Sequence, residues 1–204
     1  MGNDEFKIID DELVEYKKNE ECVVIPKGVT VIASSVFKDK KVKYVTIPNT
    51  VKEIGSFAFA NTELCEVLIP ESVEKIGDFA FSESKLKYVW FCDGVKTIGD
   101  YAFFHNEIKN LSLPNTVISI GNNAFNVNKI KNLIIPESVK EIKEKAFSIN
   151  EIENVIFCKG IEHIGVEAFK YNNVDNCLFC DDTNLKVDKT TFDEGVKRFA
   201  KAKK

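Results

Sequence analysis

Hydrophobic residues recur along the chain with a fixed period of 22 residues. One column of this repeat holds an isoleucine, leucine or phenylalanine in every row, at Ile25, Ile47, Ile69, Phe91, Leu113, Ile135, Phe157 and Phe179. Another column holds only phenylalanine, at Phe37, Phe59, Phe81, Phe103, Phe125, Phe147 and Phe169. A fixed period of this length is the signature of a solenoid, in which each repeat forms one coil and packs on its neighbours. The sequence therefore predicts one continuous array of stacked coils.

Each coil contains one short segment in which apolar residues alternate with variable ones. Val67 and Ile69 belong to columns that are apolar in every coil, whereas the residues beside them vary. This period of two predicts a β-strand. Pro70 ends the strand, because proline cannot donate a hydrogen bond to a neighbouring strand. The next apolar positions, Val73 and Ile76, are three residues apart, which predicts an irregular or 3₁₀ return segment.

These patterns predict an α/β-type repeat solenoid with one short parallel strand per coil and irregular or 3₁₀ return arms. We predict an N-terminal capping hairpin over residues 1–22, because those residues break the repeat. An array of about seven coils follows over residues 23–180, and residues 181–204 form a C-terminal cap with a basic helical tail. Caps are expected because the two end coils of an array would otherwise expose apolar surface.

Two further columns predict tight turns between these segments. One contains glycine in most coils, which favours a turn with positive φ, at Gly55, Gly77, Gly99, Gly121 and Gly165. The other contains asparagine just before the strand, at Asn106, Asn128, Asn150 and Asn172. We expect these amides to bond to neighbouring backbone groups and to one another, because buried polar groups need hydrogen-bond partners.

Charge and hydropathy limit the classes of partner. The net charge of −4 and the pI near 5.4 give no reason to expect nucleic-acid binding, which favours a basic surface. No stretch approaches the roughly 18 apolar residues that predict a membrane span. The first residues are polar where a secretory signal would need an apolar core. We expect the cell surface or secretion if a signal sequence was removed, and the cytoplasm if Met1 is the native start.

The six cysteines do not form an obvious disulfide or metal framework. Cys92 and Cys158 share a column but lie three coils, or about 14 Å, apart, which is too far for a disulfide. Cys158 and Cys180 lie on adjacent coils, so the sequence leaves a bridge between them open. Cys177 and Cys180 have CxxC spacing, but no second pair exists to complete a zinc site. We therefore expect no metal and no cofactor.

No constellation of residues suggests catalysis. His105 and His163 belong to different columns almost three coils apart, so they cannot act together. The carboxylates are scattered over exposed columns, and no phosphate-binding glycine motif occurs. Because no nucleophile is placed beside a base, we predict that the protein is not an enzyme.

The repeat unit resembles the BspA-like leucine-rich repeats of bacterial and protozoan surface proteins. The similarity rests on the consensus (V/L)-x-(I/L/F)-P-x-(S/T/G)-V-x-x-I-G-x-x-A-F-x-x-N-x-(L/I), which runs from residue 23 to about 180. The segment FKIIDDELVEYKKNEECVVIP also resembles the cap that precedes such arrays. The resemblance implies a right-handed solenoid and adhesion to host or matrix proteins. This chain departs from the pattern at Cys92, Cys158 and Cys180, which replace proline.

The variable strand positions contain the candidate binding residues. Alternation points these side chains away from the core, yet most of them are apolar. Tryptophan and tyrosine dominate the binding energy of many interfaces. We therefore predict a binding surface formed by Tyr44, Leu68, Tyr88, Trp90, Ile134 and Ile156. A row of lysines beside it would attract an acidic partner, at Lys43, Lys87, Lys109 and Lys131.

Several functions fit such a surface. The leading hypothesis is a non-enzymatic protein–protein interaction module for adhesion or scaffolding, monomeric, with a protein partner of unknown identity. One alternative is a rigid structural spacer within a larger surface protein, and another is a carbohydrate-binding surface on which Tyr88 and Trp90 stack against sugars. Apolar residues on a strand face could also pack laterally on their neighbours and need no ligand. A second patch, formed by Phe57, Phe79 and Tyr101, is expected to be a dimer contact or half-buried.

Overall fold

The computed structural model describes residues 5–180, 185, 190–193 and 199–201. These residues form a β-solenoid of about eight turns and contain no helix. The strands are β1 Phe6–Ile9, β2 Glu12–Tyr16, β3 Cys22–Val24, β4 Val31–Ile32, β5 Tyr44–Thr46, β6 Glu53–Ile54, β7 Glu66–Ile69, β8 Lys75–Ile76, β9 Tyr88–Phe91, β10 Thr97–Ile98, β11 Ser119–Ile120, β12 Asn132–Ile135, β13 Glu141–Ile142, β14 Asn154–Phe157, β15 His163–Ile164, β16 Asn176–Phe179 and β17 Phe199–Lys201.

The strand predicted from the alternating pattern is present in most coils and pairs in parallel with its neighbours. Its register advances by one full repeat, so that Leu68 lies beside Trp90 and Ile134 lies beside Ile156. The resulting sheet is divided into three pieces, β3–β5, β7–β9 and β12–β14–β16–β17. Residues 110–113 form no strand, and only an isolated bridge joins Asn110 to Tyr88.

The return arm differs from the prediction, because it contains a second short strand and no 3₁₀ helix in the part of the chain that the structure describes. These two-residue strands join β1 and β2 in a nine-stranded sheet, in the order β1–β2–β4–β6–β8–β10–β11–β13–β15. The α/β class was therefore wrong. The three-residue spacing of Val73 and Ile76 does not reflect a 3₁₀ helix. Val73 lies in a turn, where its N–H donates to Pro70 O at 3.0 Å, whereas Ile76 lies in β8.

The core is a ladder of phenylalanine rings, one from each coil. Successive ring centroids lie 4.8–5.3 Å apart with nearly parallel planes, and each ring is fully buried, at Phe37, Phe59, Phe81, Phe103, Phe125, Phe147 and Phe169. The prediction that residues of one column become spatial neighbours is confirmed. Stacking is required because a single coil cannot bury enough apolar surface to offset the entropy of ordering it.

Positive φ values occur in every repeat, but not at the glycine column formed by Gly55, Gly77, Gly99, Gly121 and Gly165. Phe57, Phe79 and Tyr101 have φ of 57–58°, two residues after the glycine column. The predicted turn at the glycines was therefore wrong. At Gly121 an added Cβ would lie 2.5 Å from the carbonyl carbon of Gly99, so glycine is favoured there because neighbouring coils approach closely. The rings of Phe57, Phe79 and Tyr101 stack at 4.6 Å and are half-buried.

The asparagine column satisfies buried backbone groups. The Nδ2 of Asn128 donates to Phe103 O at 2.9 Å and to Phe125 O at 3.1 Å, while its Oδ1 accepts from the N–H of Ile108 at 3.1 Å. Asn106, Asn150 and Asn172 repeat this pattern. The expected bonds to backbone are present, whereas bonds between these asparagines are not formed. Each amide links two coils through the backbone.

Both ends of the array carry additional packing. At the N-terminus, β1 and β2 form an antiparallel hairpin, and the ring of Tyr16 lies 5.2 Å from that of Phe37. At the other end, Phe192 stacks on Phe169 at 5.3 Å although it is one residue out of phase. That these segments act as caps stays a prediction. Residues 199–201 form β17, not the predicted helix, and the remainder of that helix lies largely outside the described residues.

Candidate functional site

The strand face is the outward surface of β3, β5, β7, β9, β12, β14, β16 and residues 110–113. Alternation along each strand separates this surface from the core. In β7, for example, Val67 and Ile69 are buried, whereas Leu68 between them is 55% exposed. The apolar side chains of the strand face therefore contact solvent, which large apolar groups do only at a cost in hydration free energy.

Tyr88 and Trp90 form an aromatic pair at the centre of the strand face. They lie two residues apart on β9, so that both project outward, and each side chain is 50% exposed. Their ring centroids are 5.7 Å apart and their planes differ by 8°. The two rings thus present adjacent, nearly parallel apolar surfaces to solvent.

Two open grooves flank this pair at the two places where the sheet is interrupted. The first lies where β5 and β7 fail to pair, has a volume of about 270 Å³, and is lined by Tyr44, Leu68 and Trp90 among others. The second lies at residues 110–113 and has a volume of about 440 Å³. Tyr88 and Trp90 line it on one side. Trp90 therefore borders both grooves.

The second groove includes polar residues that the sequence analysis did not select. Its lining contains Asn110, Ser112 and Asn132 beside the aromatic pair. The sequence contained an indication of this groove, because the two outward positions of one coil hold poor strand formers, Asn110 and Ser112. That coil is the one in which the strand is missing.

The six predicted binding residues fall into two groups. Tyr44, Leu68, Tyr88 and Trp90 lie along the two grooves. Ile134 is 57% exposed and pairs in register with the half-buried Ile156, on the far side of residues 110–113.

A ladder of asparagines, exposed at Asn132 and Asn176 and half-buried at Asn154, runs beside the two isoleucines. The Nδ2 of Asn154 donates to Asn132 Oδ1 at 2.7 Å, and that of Asn176 donates to Asn154 Oδ1 at 2.6 Å. This half of the strand face is therefore aliphatic and amide-rich, in contrast to the aromatic half around Trp90.

The lysines beside the strand face differ in their pairing. Lys43 lies 2.7 Å from Glu21 and 3.9 Å from Glu63, and its hydrogen bond to Glu21 raises its pKa above the ordinary lysine value. Lys131 lies 3.9 Å from Glu151. Lys87 and Lys109 are exposed, and within the described ranges neither has a carboxylate oxygen within 4 Å. The unpaired positive charge lies next to Tyr88 and the second groove.

A metal site has less support. Among the described residues, no group of three or more His, Cys, Asp and Glu side chains converges as metal ligands would.

In the part of the chain that is described, no helix has the length and apolar character of a membrane span.

Together, the ring ladder, the parallel register and the solvent-exposed strand face define a leucine-rich-repeat solenoid. The sequence model of the family described as the BspA type leucine-rich repeat region matches residues 7–125 and 74–196, with six copies. The chain belongs to this family. Arrays of this family are generally interaction or surface modules and generally not enzymes.

Solved structures of leucine-rich-repeat proteins are similar to this chain. One from Bacteroides ovatus is 25% identical with a TM-score of 0.54. The match covers 83% of this chain and 52% of the Bacteroides ovatus chain. A leucine-rich cell surface protein from Faecalibacterium prausnitzii is 20% identical with a TM-score of 0.53, and the match covers 87% of this chain and 75% of that protein. The pneumococcal vaccine antigen PcpA is 17% identical with a TM-score of 0.52, and the match covers 80% of this chain and 63% of PcpA.

The chain spans about half the length of the Bacteroides ovatus protein. No protein with a curated description matches its sequence. The similarities below 25% identity support the fold alone.

Proposed function

We propose that this protein is a non-enzymatic protein-binding module that acts in adhesion or scaffolding through the strand face around Trp90. The observation that carries the proposal is the half-exposed Tyr88–Trp90 pair between two open grooves. Aromatic side chains bordering a groove bury a large apolar area when a partner binds, and a few such residues supply most of the binding energy of an interface.

Lateral packing between strands does not account for this pair. On one side Trp90 has Leu68 as its register neighbour, but on the other side Ser112 lies in the coil without a strand. Side chains that served only to pack on their neighbours would be largely buried, whereas half of the Trp90 side chain contacts solvent. An exposed apolar patch of this kind favours an interaction site.

The surrounding charges favour a partner with an acidic segment. Lys87 and Lys109 place unpaired positive charge beside Tyr88 and the second groove, although the whole chain is acidic. Such local complementarity raises the association rate and orients the partner. We propose a cell-surface location for this activity, since the similar Faecalibacterium prausnitzii structure is described as a leucine-rich cell surface protein.

The test is to remove the aromatic pair. Partners captured from host-cell and matrix extracts are identified by mass spectrometry, purified, and titrated against wild-type protein and the double variant Tyr88→Ala/Trp90→Ala. We expect the double variant to bind at least about tenfold more weakly, which corresponds to at least about 1.4 kcal/mol. Its melting temperature should stay close to that of the wild type, because neither side chain belongs to the core.

The matched control removes two exposed apolar residues that lie off the strand face. Ile118 and Val166 are 46% and 49% exposed, so Ile118→Ala/Val166→Ala deletes exposed apolar groups elsewhere on the solenoid. Binding should be retained in this control. If the Tyr88→Ala/Trp90→Ala variant binds as tightly as this control, the aromatic pair is ruled out as the binding site.

A second prediction concerns the lysines. The variant Lys87→Glu/Lys109→Glu should lower the association rate constant by about tenfold at low salt, and the difference should shrink as salt screens the charges. The control Lys27→Glu/Lys159→Glu changes net charge equally at exposed positions in turns. Association kinetics measured at several salt concentrations check this. A rate that responds equally to both variants would show that only net charge matters.

A carbohydrate partner is the second candidate. It is favoured by the 8° angle between the rings of Tyr88 and Trp90 and by the amide and hydroxyl groups of Asn110 and Ser112 in the same groove. Sugar rings stack on such aromatic surfaces while polar side chains bond their hydroxyls. Binding to a glycan array that is lost in Tyr88→Ala/Trp90→Ala would support it, and absence of any glycan signal would dismiss it.

A further inference from the structure

Two cysteines lie next to each other at the ends of neighbouring strands. Cys158 follows β14 and Cys180 follows β16, and these strands pair in parallel with Phe157 beside Phe179. The N–H of Cys180 donates to Phe157 O at 2.9 Å, so the register continues up to the cysteines. Neighbouring strands are about 4.8 Å apart. This spacing lies within the Cα–Cα range of about 4.4–6.8 Å that a disulfide spans.

The two thiols lie at neighbouring positions and are partly accessible. Both side chains are half-buried. Burial, followed by the nearby Cys180, raises the pKa of Cys158 above its ordinary value. The parallel register points both side chains the same way, which a disulfide between them requires.

The other cysteines lack such a neighbour. Cys92 occupies the same column, but the adjacent coils carry Pro70 and Pro114. Cys177 faces the core, where burial raises its pKa to about 12, so it forms little thiolate at neutral pH. The CxxC spacing of Cys177 and Cys180 therefore does not make them a reactive pair.

We propose that Cys158 and Cys180 form an oxidisable dithiol, which closes into a disulfide between two successive turns of the solenoid. A small-molecule disulfide such as oxidised glutathione supplies the oxidation. The thiolate of one cysteine attacks a glutathione sulfur and releases one glutathione thiolate. The second cysteine thiolate then attacks the mixed disulfide and releases the other. Two protein thiols lose two electrons, one oxidised glutathione becomes two reduced ones, and the two protons pass to the leaving thiolates.

The bond would fasten one turn of the array to the next. It closes a loop of a single repeat, between β14 and β16, and so restricts the unfolded chain. We expect the melting temperature to rise by several degrees on oxidation and to return on reduction. Closure should be faster at pH 9 than at pH 7.5, because the thiolate is the reacting form. The site is separate from Trp90, which lies on the piece of sheet formed by β7 and β9.

Peptide mapping tests the proposal on the full-length chain. Dilute protein is incubated with oxidised glutathione, free thiols are alkylated, and the chain is digested with trypsin without reduction. Cleavage after Lys145, Lys159, Lys170 and Lys186 places Cys158 and Cys180 in different peptides, 146–159 and 171–186. Because Cys177 shares the second peptide, the same digestion is repeated with Cys177→Val, which fills a column of valine and leucine.

We expect these two peptides to be linked in wild type and in Cys177→Val, while Cys92 stays unlinked to any other cysteine. Cys158→Ser and Cys180→Ser should each retain a glutathione adduct on the remaining thiol and should show no rise in melting temperature. Separate glutathione adducts on both cysteines of the wild type, or a link found only between two molecules, would overturn the proposal.

Discussion

Replacing Phe103 with alanine is expected to lower the free energy of unfolding by about 3–5 kcal/mol. The ring is fully buried and stacks at 5.1 Å on both Phe81 and Phe125, with the edge of Phe91 at 5.8 Å. The cavity cannot close easily, because hydrogen bonds such as Phe103 N–H to Ala124 O, at 2.7 Å, fix the spacing of the coils. Urea unfolding followed by circular dichroism measures the change.

Phe104 provides the matched control for this experiment. It is the next residue along the chain and is also a phenylalanine, but its side chain is half-buried and outside the ring ladder. Phe104→Ala should therefore cost less than about 1 kcal/mol. Similar losses in the two variants would show that the ring ladder is not the main source of core stability. Because coils contact only their neighbours, we also expect the unfolding transition of Phe103→Ala to broaden into separate steps.

Replacing Asn128 with alanine is expected to lower the free energy of unfolding by about 2–4 kcal/mol. The substitution removes three hydrogen bonds and leaves Phe103 O, Phe125 O and the N–H of Ile108 without that partner in a buried turn. A buried backbone group that loses its partner costs its desolvation free energy. Thermal and urea unfolding measure this loss.

Two further variants make this prediction specific. Asn132→Ala removes an exposed asparagine, whose Oδ1 accepts a bond from Asn154, and should change stability by less than about 0.5 kcal/mol. Asn128→Ser should recover part of the loss, because Ser84 occupies the same column and its hydroxyl donates to Phe59 O at 2.9 Å. Equal stability of Asn128→Ala and Asn132→Ala would contradict the structural role of the column.

Much of the candidate site could be predicted from the sequence. The alternation in β7 and β9 identified Leu68, Tyr88 and Trp90 as outward-facing, since a strand sends successive side chains to opposite faces. The grooves could not be predicted in this way. They depend on where the sheet is interrupted, and β5 and β7 fail to pair although their sequences keep the repeat.

The return arm shows why spacing alone misleads over short distances. Val73 and Ile76 have the spacing of one helical turn, yet they belong to a turn and to β8. A strand of two residues is too short to display a period of two. Its formation is decided by hydrogen bonds to the coils on both sides, as in the parallel pairs that join β6, β8 and β10.

The sequence by itself determined the repeat length, the coil stacking and the inward and outward sides of the long strands, because those follow from a period that local chain geometry imposes. Only the tertiary structure decided the second sheet and the division of the strand face. These depend on how closely consecutive coils approach. That distance results from contacts between residues one whole repeat apart, and no pattern within a single coil contains it.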